Sequence, residues 1–223
     1  LYILLAKKEA KPSPHLFGRL IAALAPTLRG ARSVPAYRAL AKERPNDPLA
    51  QAVAGIVLFL VGQNSAASAA DKTSLYRAAV APLERARVKY PNEPHLLMYL
   101  ALVQHRTGKA EAAQALAAEA ARHAPDDPEL RLARAEIEHV SDPAAARGHL
   151  ERYLARAKEG VNISPDKLAR LRTIRGQLDE LASGTRKGPL AGFDPAPVGG
   201  RSSSLDAAED GGTRGCLLYT SPS

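Results

Sequence analysis

The stretch NEPHLLMYLALVQHRTGKAEAAQALAAEAARHAPDDP, residues 92–128, holds two apolar helical runs separated by Thr107 and Gly108, with a proline near each end. In the second run Ala113, Ala117 and Ala120 recur at helical spacing and form one stripe. Small side chains let two helix backbones approach closely. The stretch therefore predicts a pair of antiparallel helices that touch along alanines, with Gly108 ending the first helix.

The composition of the whole chain favours the same kind of packing. Of its 223 residues 45% are hydrophobic, whereas aromatic residues make up 4% and tryptophan is missing. Its core must therefore consist of alanine, leucine and valine. β-Sheets favour β-branched and aromatic residues, so the composition predicts an all-α fold.

Two sets of prolines recur along the chain. Prolines of one set stand at the start of apolar helical patterns, and the first and last intervals between them are equal, whereas the middle interval is longer. Prolines of the other set end the preceding helical pattern shortly before, in PNDP, PNEP and PDDP. Asp47 and Asp127 are good N-caps in front of a proline at the first helical position, whereas Glu93 is a weaker cap. The first set is Pro14, Pro48, Pro94 and Pro128, and the second is Pro45, Pro91 and Pro125. The recurrence predicts repeated helical hairpins.

A helical hairpin of this kind resembles a tetratricopeptide repeat of bacterial type, whose unit is about 34 residues long. The unit at 94–127 has that length and is the best match, through Leu97, Leu100, Ala101, Gly108, Ala113, Ala120 and Pro125. The unit at 48–93 offers Ala54, Gly55, Leu58, Gly62, Ala79, Leu83, Ala86 and Pro91, and it is longer, with the excess at 62–74. The resemblance covers residues 14–158, with a degenerate unit at 14–47 and a last unit at 128–158. It implies a right-handed superhelix, or solenoid, of antiparallel hairpins.

The ends of the chain differ from the repeats. Residues 1–13 are interpreted as the end of an upstream helix in a truncated chain; they make a poor signal peptide, and an upstream signal or domain would lie outside the sequence. Residues 164–183 carry one apolar stripe and one charged face, which is typical of the capping helix of a solenoid. Residues 184–223 are rich in Gly, Pro and Ser and are predicted to be disordered, and the last of them, including Cys216, are interpreted as artefactual.

No pattern for catalysis is found in the sequence. There is no phosphate-binding loop, no paired histidines at i, i+4, and a single cysteine, so we expect no enzyme activity, no cofactor and no metal. His105 and His139 lie one repeat apart, near the ends of successive first helices. Two interpretations remain open for them. They share a ligand site between stacked units, or they are exposed histidines favoured by the helix C-terminal dipole.

The first helix of the long unit, LAQAVAGIVLFLVG, is apolar on nearly every side, so it should be covered all round. In a superhelix the first helices line the concave surface. Two interpretations are weighed equally: an exposed groove for a partner, or burial beneath residues 62–74 or missing upstream structure. The groove would be lined by Ala52, Ile56, Phe59, Met98, Leu102 and His105.

These observations predict a non-catalytic scaffold that binds an apolar or amphipathic segment of a partner protein. The alternative is the regulatory region of a larger enzyme, such as a signalling kinase, whose catalytic domain lies upstream. The net charge of +8 would suit nucleic acid, but basic residues are interleaved with the apolar stripe and lack stacking aromatics, so nucleic acid is disfavoured. No apolar run is long enough for a membrane span. A cytoplasmic location is slightly favoured over a periplasmic one.

Overall fold

The computed structural model describes residues 33–64, 68–158, 165–185 and 190, and these ranges contain helices and turns but no strand. The prediction of an all-α fold is thereby confirmed. The segment predicted at 1–13, the first helix of the unit at 14–47 and nearly all of the tail lie outside the described residues. In chain order the helices are α1 (Val34–Glu43), α2 (Pro48–Asn64), α3 (Ala69–Lys89), α4 (Pro94–Arg106), α5 (Ala110–His123), α6 (Pro128–Glu138), α7 (Pro143–Lys158) and α8 (Pro165–Ala182).

Prolines and acidic caps start the helices as the sequence indicates. The Oδ1 of Asp47 accepts hydrogen bonds from the backbone N–H groups of Leu49 and Ala50, at 3.1 and 3.0 Å. The Oδ1 of Asp127 accepts from two N–H groups of α6, at 2.8 and 3.2 Å. Glu93 makes no such bond. Helix α4 ends before Gly108, whose φ of +83° is a conformation that glycine adopts without strain.

The extra residues at 62–74 lengthen the two helices of their hairpin. Helix α2 runs on to Asn64, and α3 begins at Ala69. The hydroxyl of Ser68 accepts from the backbone N–H of Asp71 at 3.2 Å and donates to its carboxylate at 2.7 Å. This reciprocal cap marks the start of α3. Counted from their C-terminal ends, α3 is about two turns longer than α5, the corresponding helix of the next hairpin.

Each helix from α1 to α8 packs against the next one along the chain. Contacts also join α2 to α4 and α4 to α6, which are the first helices of successive hairpins. One cluster of buried apolar residues joins α1 to α6, and a second joins α6, α7 and α8. Within the described ranges, no helix is both long and apolar enough to span a bilayer.

Small residues lie where paired helices meet. Ala101 of α4 and Ala120 of α5 are almost fully buried. In the first hairpin, a Cβ atom placed on Gly55 would lie 2.5 Å from Cγ of Leu83 and 3.1 Å from the carbonyl oxygen of Ala79. Helices α2 and α3 are therefore too close at Gly55 for any larger residue.

A buried amide joins α1, α2 and α3. The Nε2 of Gln51, which is fully buried, donates to the carbonyl oxygens of Ala41 and Arg44 at 2.7 and 2.9 Å. Its Oε1 accepts from Arg85 of α3 at 3.2 Å. The side chain thus satisfies carbonyl groups at the C-terminal end of α1, which lack partners within their own helix.

The contact at Gly55 generates a stability prediction. Gly55→Ala should lower the free energy of unfolding by about 1–3 kcal/mol, because the added methyl group overpacks the α2–α3 contact. The matched control is Gly176→Ala in α8, where a Cβ atom would meet nothing within 4 Å. That change should raise stability by about 0.5–1 kcal/mol through helix propensity. Urea unfolding measures both, and a stabilised Gly55→Ala protein would contradict the close approach.

Candidate functional site

The first helices of the three described hairpins, together with α8, surround one cavity of about 340 Å³. We call it the central cavity. Its walls are mostly apolar, with a few charged groups at the α6 and α8 sides. The lining residues are Phe59, Leu60 and Gln63 of α2; Met98, Tyr99 and Leu102 of α4; Glu129, Leu132, Ala133 and Glu136 of α6; and Arg170, Leu171 and Ile174 of α8.

The structure separates the six residues that were predicted to form an exposed groove. Phe59, Met98 and Leu102 line the central cavity. Ala52 and Ile56 lie in the core and do not line the cavity, and His105 lies near His139. All but His105, which is half-buried, are at most 6% exposed. The burial of its five apolar members favours the second interpretation, in which the strip is covered, whereas partner binding remains a prediction.

The ring of Phe59 is buried between tyrosines of the two neighbouring helices. Its ring lies 5.7 Å from the ring of Tyr76 of α3 and 5.7 Å from that of Tyr99 of α4. Tyr76 also packs onto Gly62, where an added Cβ would come within 2.7 Å of the ring. Tyr76 belongs to the early part of α3 that follows the extra residues. Of the two interpretations of the apolar α2, the described residues favour burial.

The polar groups of the central cavity were not predicted. The hydroxyl of Tyr153 donates to Oε1 of Glu129 at 3.2 Å. Burial and the negative charge of Glu129 raise the pKa of Tyr99 well above its usual range, so Tyr99 remains a neutral hydroxyl at the wall. Glu136 accepts a charge-assisted hydrogen bond of 2.6 Å from Arg106, with both side chains nearly buried.

Equivalent positions in successive units could have predicted part of the lining of the central cavity. In the unit that begins at Pro128, Leu132 and Glu136 occupy the places that Met98 and Leu102 occupy in the unit that begins at Pro94. All four residues line the central cavity. Leu132 could therefore have been added to the strip from its register alone, whereas the pairing of Glu136 with Arg106 depends on three-dimensional packing.

His105 and His139 are brought together, as their spacing indicates. Their ring centroids lie 6.0 Å apart in an edge-on arrangement. His139 is buried, which corrects the interpretation that both are exposed, and its Nδ1 donates to the carbonyl oxygen of Glu136. Burial and the charge of Arg106 lower the pKa of His139. Among the described residues no group of three His, Cys, Asp or Glu side chains could hold a metal ion.

His95 of α4 joins two successive units, because it contacts the acidic residues that precede α4 and α6. The Nε2 of His95 lies 3.2 Å from Oδ2 of Asp127, and its Nδ1 lies 3.8 Å from Oε1 of Glu93. Burial alone would lower the pKa of His95, but the hydrogen bond to Asp127 and the negative charges of Asp127 and Glu93 raise it to about 9. Burial alone would raise the pKa of Asp127, but His95 and the capped N–H groups hold it below its usual value. The pair is therefore charged at neutral pH.

Comparison of the chain with models of protein families, with curated proteins and with solved structures finds no match.

The His95 pair generates a pH prediction. The pKa of His95 rises from 6.5 to about 9 on folding, so its stabilisation is complete below pH 6.5 and is lost as the pH rises through about 9. Stability should fall by up to about 3 kcal/mol between these limits. The contribution of Asp127, whose pKa is lowered, is lost only at acidic pH.

Urea unfolding at pH 6.5 and 9.5 measures this loss. The His95→Gln protein should lose much less stability than the wild type over the same range, because glutamine carries no titrating proton. The exposed His123 supplies the control, and His123→Gln should retain the full dependence. An unchanged slope in His95→Gln would show that other groups cause it.

Proposed function

We propose that this chain is a non-catalytic protein-interaction module. In this proposal its hairpins form a right-handed superhelix of tetratricopeptide type, α8 caps the stack, and the central cavity receives an apolar side chain from a segment of a partner protein. The observation that carries the proposal is that α2, α4, α6 and α8 all contribute to one cavity. A surface made by equivalent helices of successive units is how repeat proteins build extended binding sites.

The chemistry of the walls indicates what the cavity would accept. Apolar groups from each of the four helices face it, including Leu60, Leu132 and Leu171. Its volume of about 340 Å³ lies at the low end of the range for ligand pockets, which is roughly 300–1,000 Å³. The cavity therefore suits one or two large apolar side chains. An amphipathic segment would insert these and leave its polar face in water.

The exposure of the α2 side chains indicates where a partner would contact that helix. Tyr76 of α3 covers Phe59, so the more exposed side chains of α2 that line the cavity are Leu60 and Gln63, which are half-buried. A partner would therefore contact α2 near its C-terminal end. On α6 it would contact Leu132, which is half-buried and lines the same cavity.

A charge placed in the cavity tests the proposal. Peptides are selected from a random library against the full chain, and their Kd values are measured by fluorescence anisotropy. Leu132→Arg should weaken binding about tenfold or more, equivalent to about 1.4 kcal/mol, because a guanidinium replaces the apolar wall. Val140→Arg is the matched control, since Val140 is 72% exposed and does not line the cavity.

Replacement of the apolar anchor in a selected peptide by alanine should weaken its binding to the wild type but change its binding to Leu132→Arg very little. Melting temperatures by circular dichroism establish that both protein variants fold. Equal affinities of the two variants for every selected peptide would contradict binding in the central cavity.

A further inference from the structure

A second pocket lies at the junction of α5, α6 and α7 and has a different character. It encloses about 300 Å³, and its apolar base comes from the end of α5, the turn after it and Leu130. Its remaining walls are basic. We call it the basic pocket, and its basic residues are Arg131, Arg134, His149 and Arg152.

Arg131 and Arg152 keep most of their donors available. Arg131 pairs with Asp126 through one nitrogen at 3.1 Å, and Asp126 is 81% exposed. An ion pair with an exposed carboxylate contributes little to stability, so the carboxylate competes only weakly with another anion for the guanidinium. Arg152 is exposed, and no carboxylate among the described residues pairs with it. A guanidinium has five N–H donors in a fixed plane, so both side chains can bind a further anion.

Arg134 and His149 are held by one shared carboxylate. Nε and Nη2 of Arg134 each lie 2.8 Å from Oε1 of Glu138, and Nε2 of His149 lies 3.2 Å from Oε2. Burial alone would raise the pKa of Glu138, but hydrogen bonds from His149 and Arg134 hold it below its usual value. Glu138 therefore stays ionised and fixes both side chains at the pocket wall.

His149 is a buried polar side chain in the wall of the same pocket. The residue is 8% exposed, and its Nδ1 is buried with no hydrogen-bond partner among the described residues. A buried polar atom without a partner is costly. Its Nε2 faces Glu138, so His149 extends the polar wall of the basic pocket next to Arg134.

From this arrangement we propose that the basic pocket binds a single phosphate-type oxyanion. Three guanidinium groups and an imidazole surround a space that takes one tetrahedral group, and guanidinium planes match phosphate oxygens in pairs. The two nearby carboxylates, Asp126 and Glu138, leave one guanidinium in excess. Single-stranded nucleic acid is less suitable, because the pocket has no aromatic side chain on which a base could stack.

Calorimetric titration with sodium phosphate, at pH 7 and at ionic strength held constant with chloride, tests the proposal. The wild type should bind one phosphate saturably. Arg152→Gln should raise Kd about tenfold, the effect of one lost charge-assisted hydrogen bond. Arg122→Gln is the control: it removes the same charge from an exposed position of α5 that does not line the pocket, so Kd should stay unchanged.

Titration with N-acetyl-O-phosphoserine amide distinguishes the source of the anion. Tighter binding than that of phosphate assigns the pocket to a phosphorylated protein side chain, whereas equal or weaker binding assigns it to the free anion. Amide chemical shifts should change around residues 131–134 and 149–152 in either case. Absence of saturable binding would overturn the proposal. So would an equal loss in Arg122→Gln, or an affinity for polyuridylate that both substitutions weaken equally.

Discussion

Close contact between paired helices at glycine and alanine is the constraint on which the remaining packing depends. Gly55 lies against Leu83 with no room for a methyl group, and Ala101 and Ala120 are buried in the same way in the next hairpin. Larger apolar side chains on the same helices, such as Phe59 and Met98, extend beside these contacts and reach the next hairpin or the central cavity. The buried alanines of the described helices are therefore contact points between helices.

Buried charged groups add specificity to this apolar packing. Arg106 of α4 pairs with Glu136 of α6, and His95 of α4 pairs with Asp127 at the start of α6. Both pairs join one hairpin to the next. A buried pair adds little net stability compared with apolar groups, but separating its members leaves an uncompensated charge and costs several kcal/mol. These pairs therefore penalise any arrangement in which α4 and α6 are shifted relative to each other.

The positions of the helices could be predicted because their signals are local. A proline, an acidic cap and a glycine at positive φ act within one helical turn, and Asp47, Asp127 and Gly108 all do so as expected. The covering of Phe59 could not be predicted, because it depends on the rings of Tyr76 and Tyr99 from two other helices, and sequence periodicity does not place them. The pairing of Glu136 and the burial of His139 depend on side chains from another hairpin.

Helix α6 belongs to both apolar clusters. Leu130, Ala133 and Ile137 pack into the first cluster, whereas Ala135 packs with α7 and α8 in the second. Local opening of α7 and α8 would expose only one side of α6, and the other side would keep its contacts with α4 and α5. Hydrogen exchange in such a protein is expected to proceed through stepwise openings, with lower opening free energies for α7 and α8 than for the helices before α6. Helix α6 is thus the boundary between two parts of the chain. The C-terminal part, α7 and α8, can open alone, whereas the larger part up to α6 opens last.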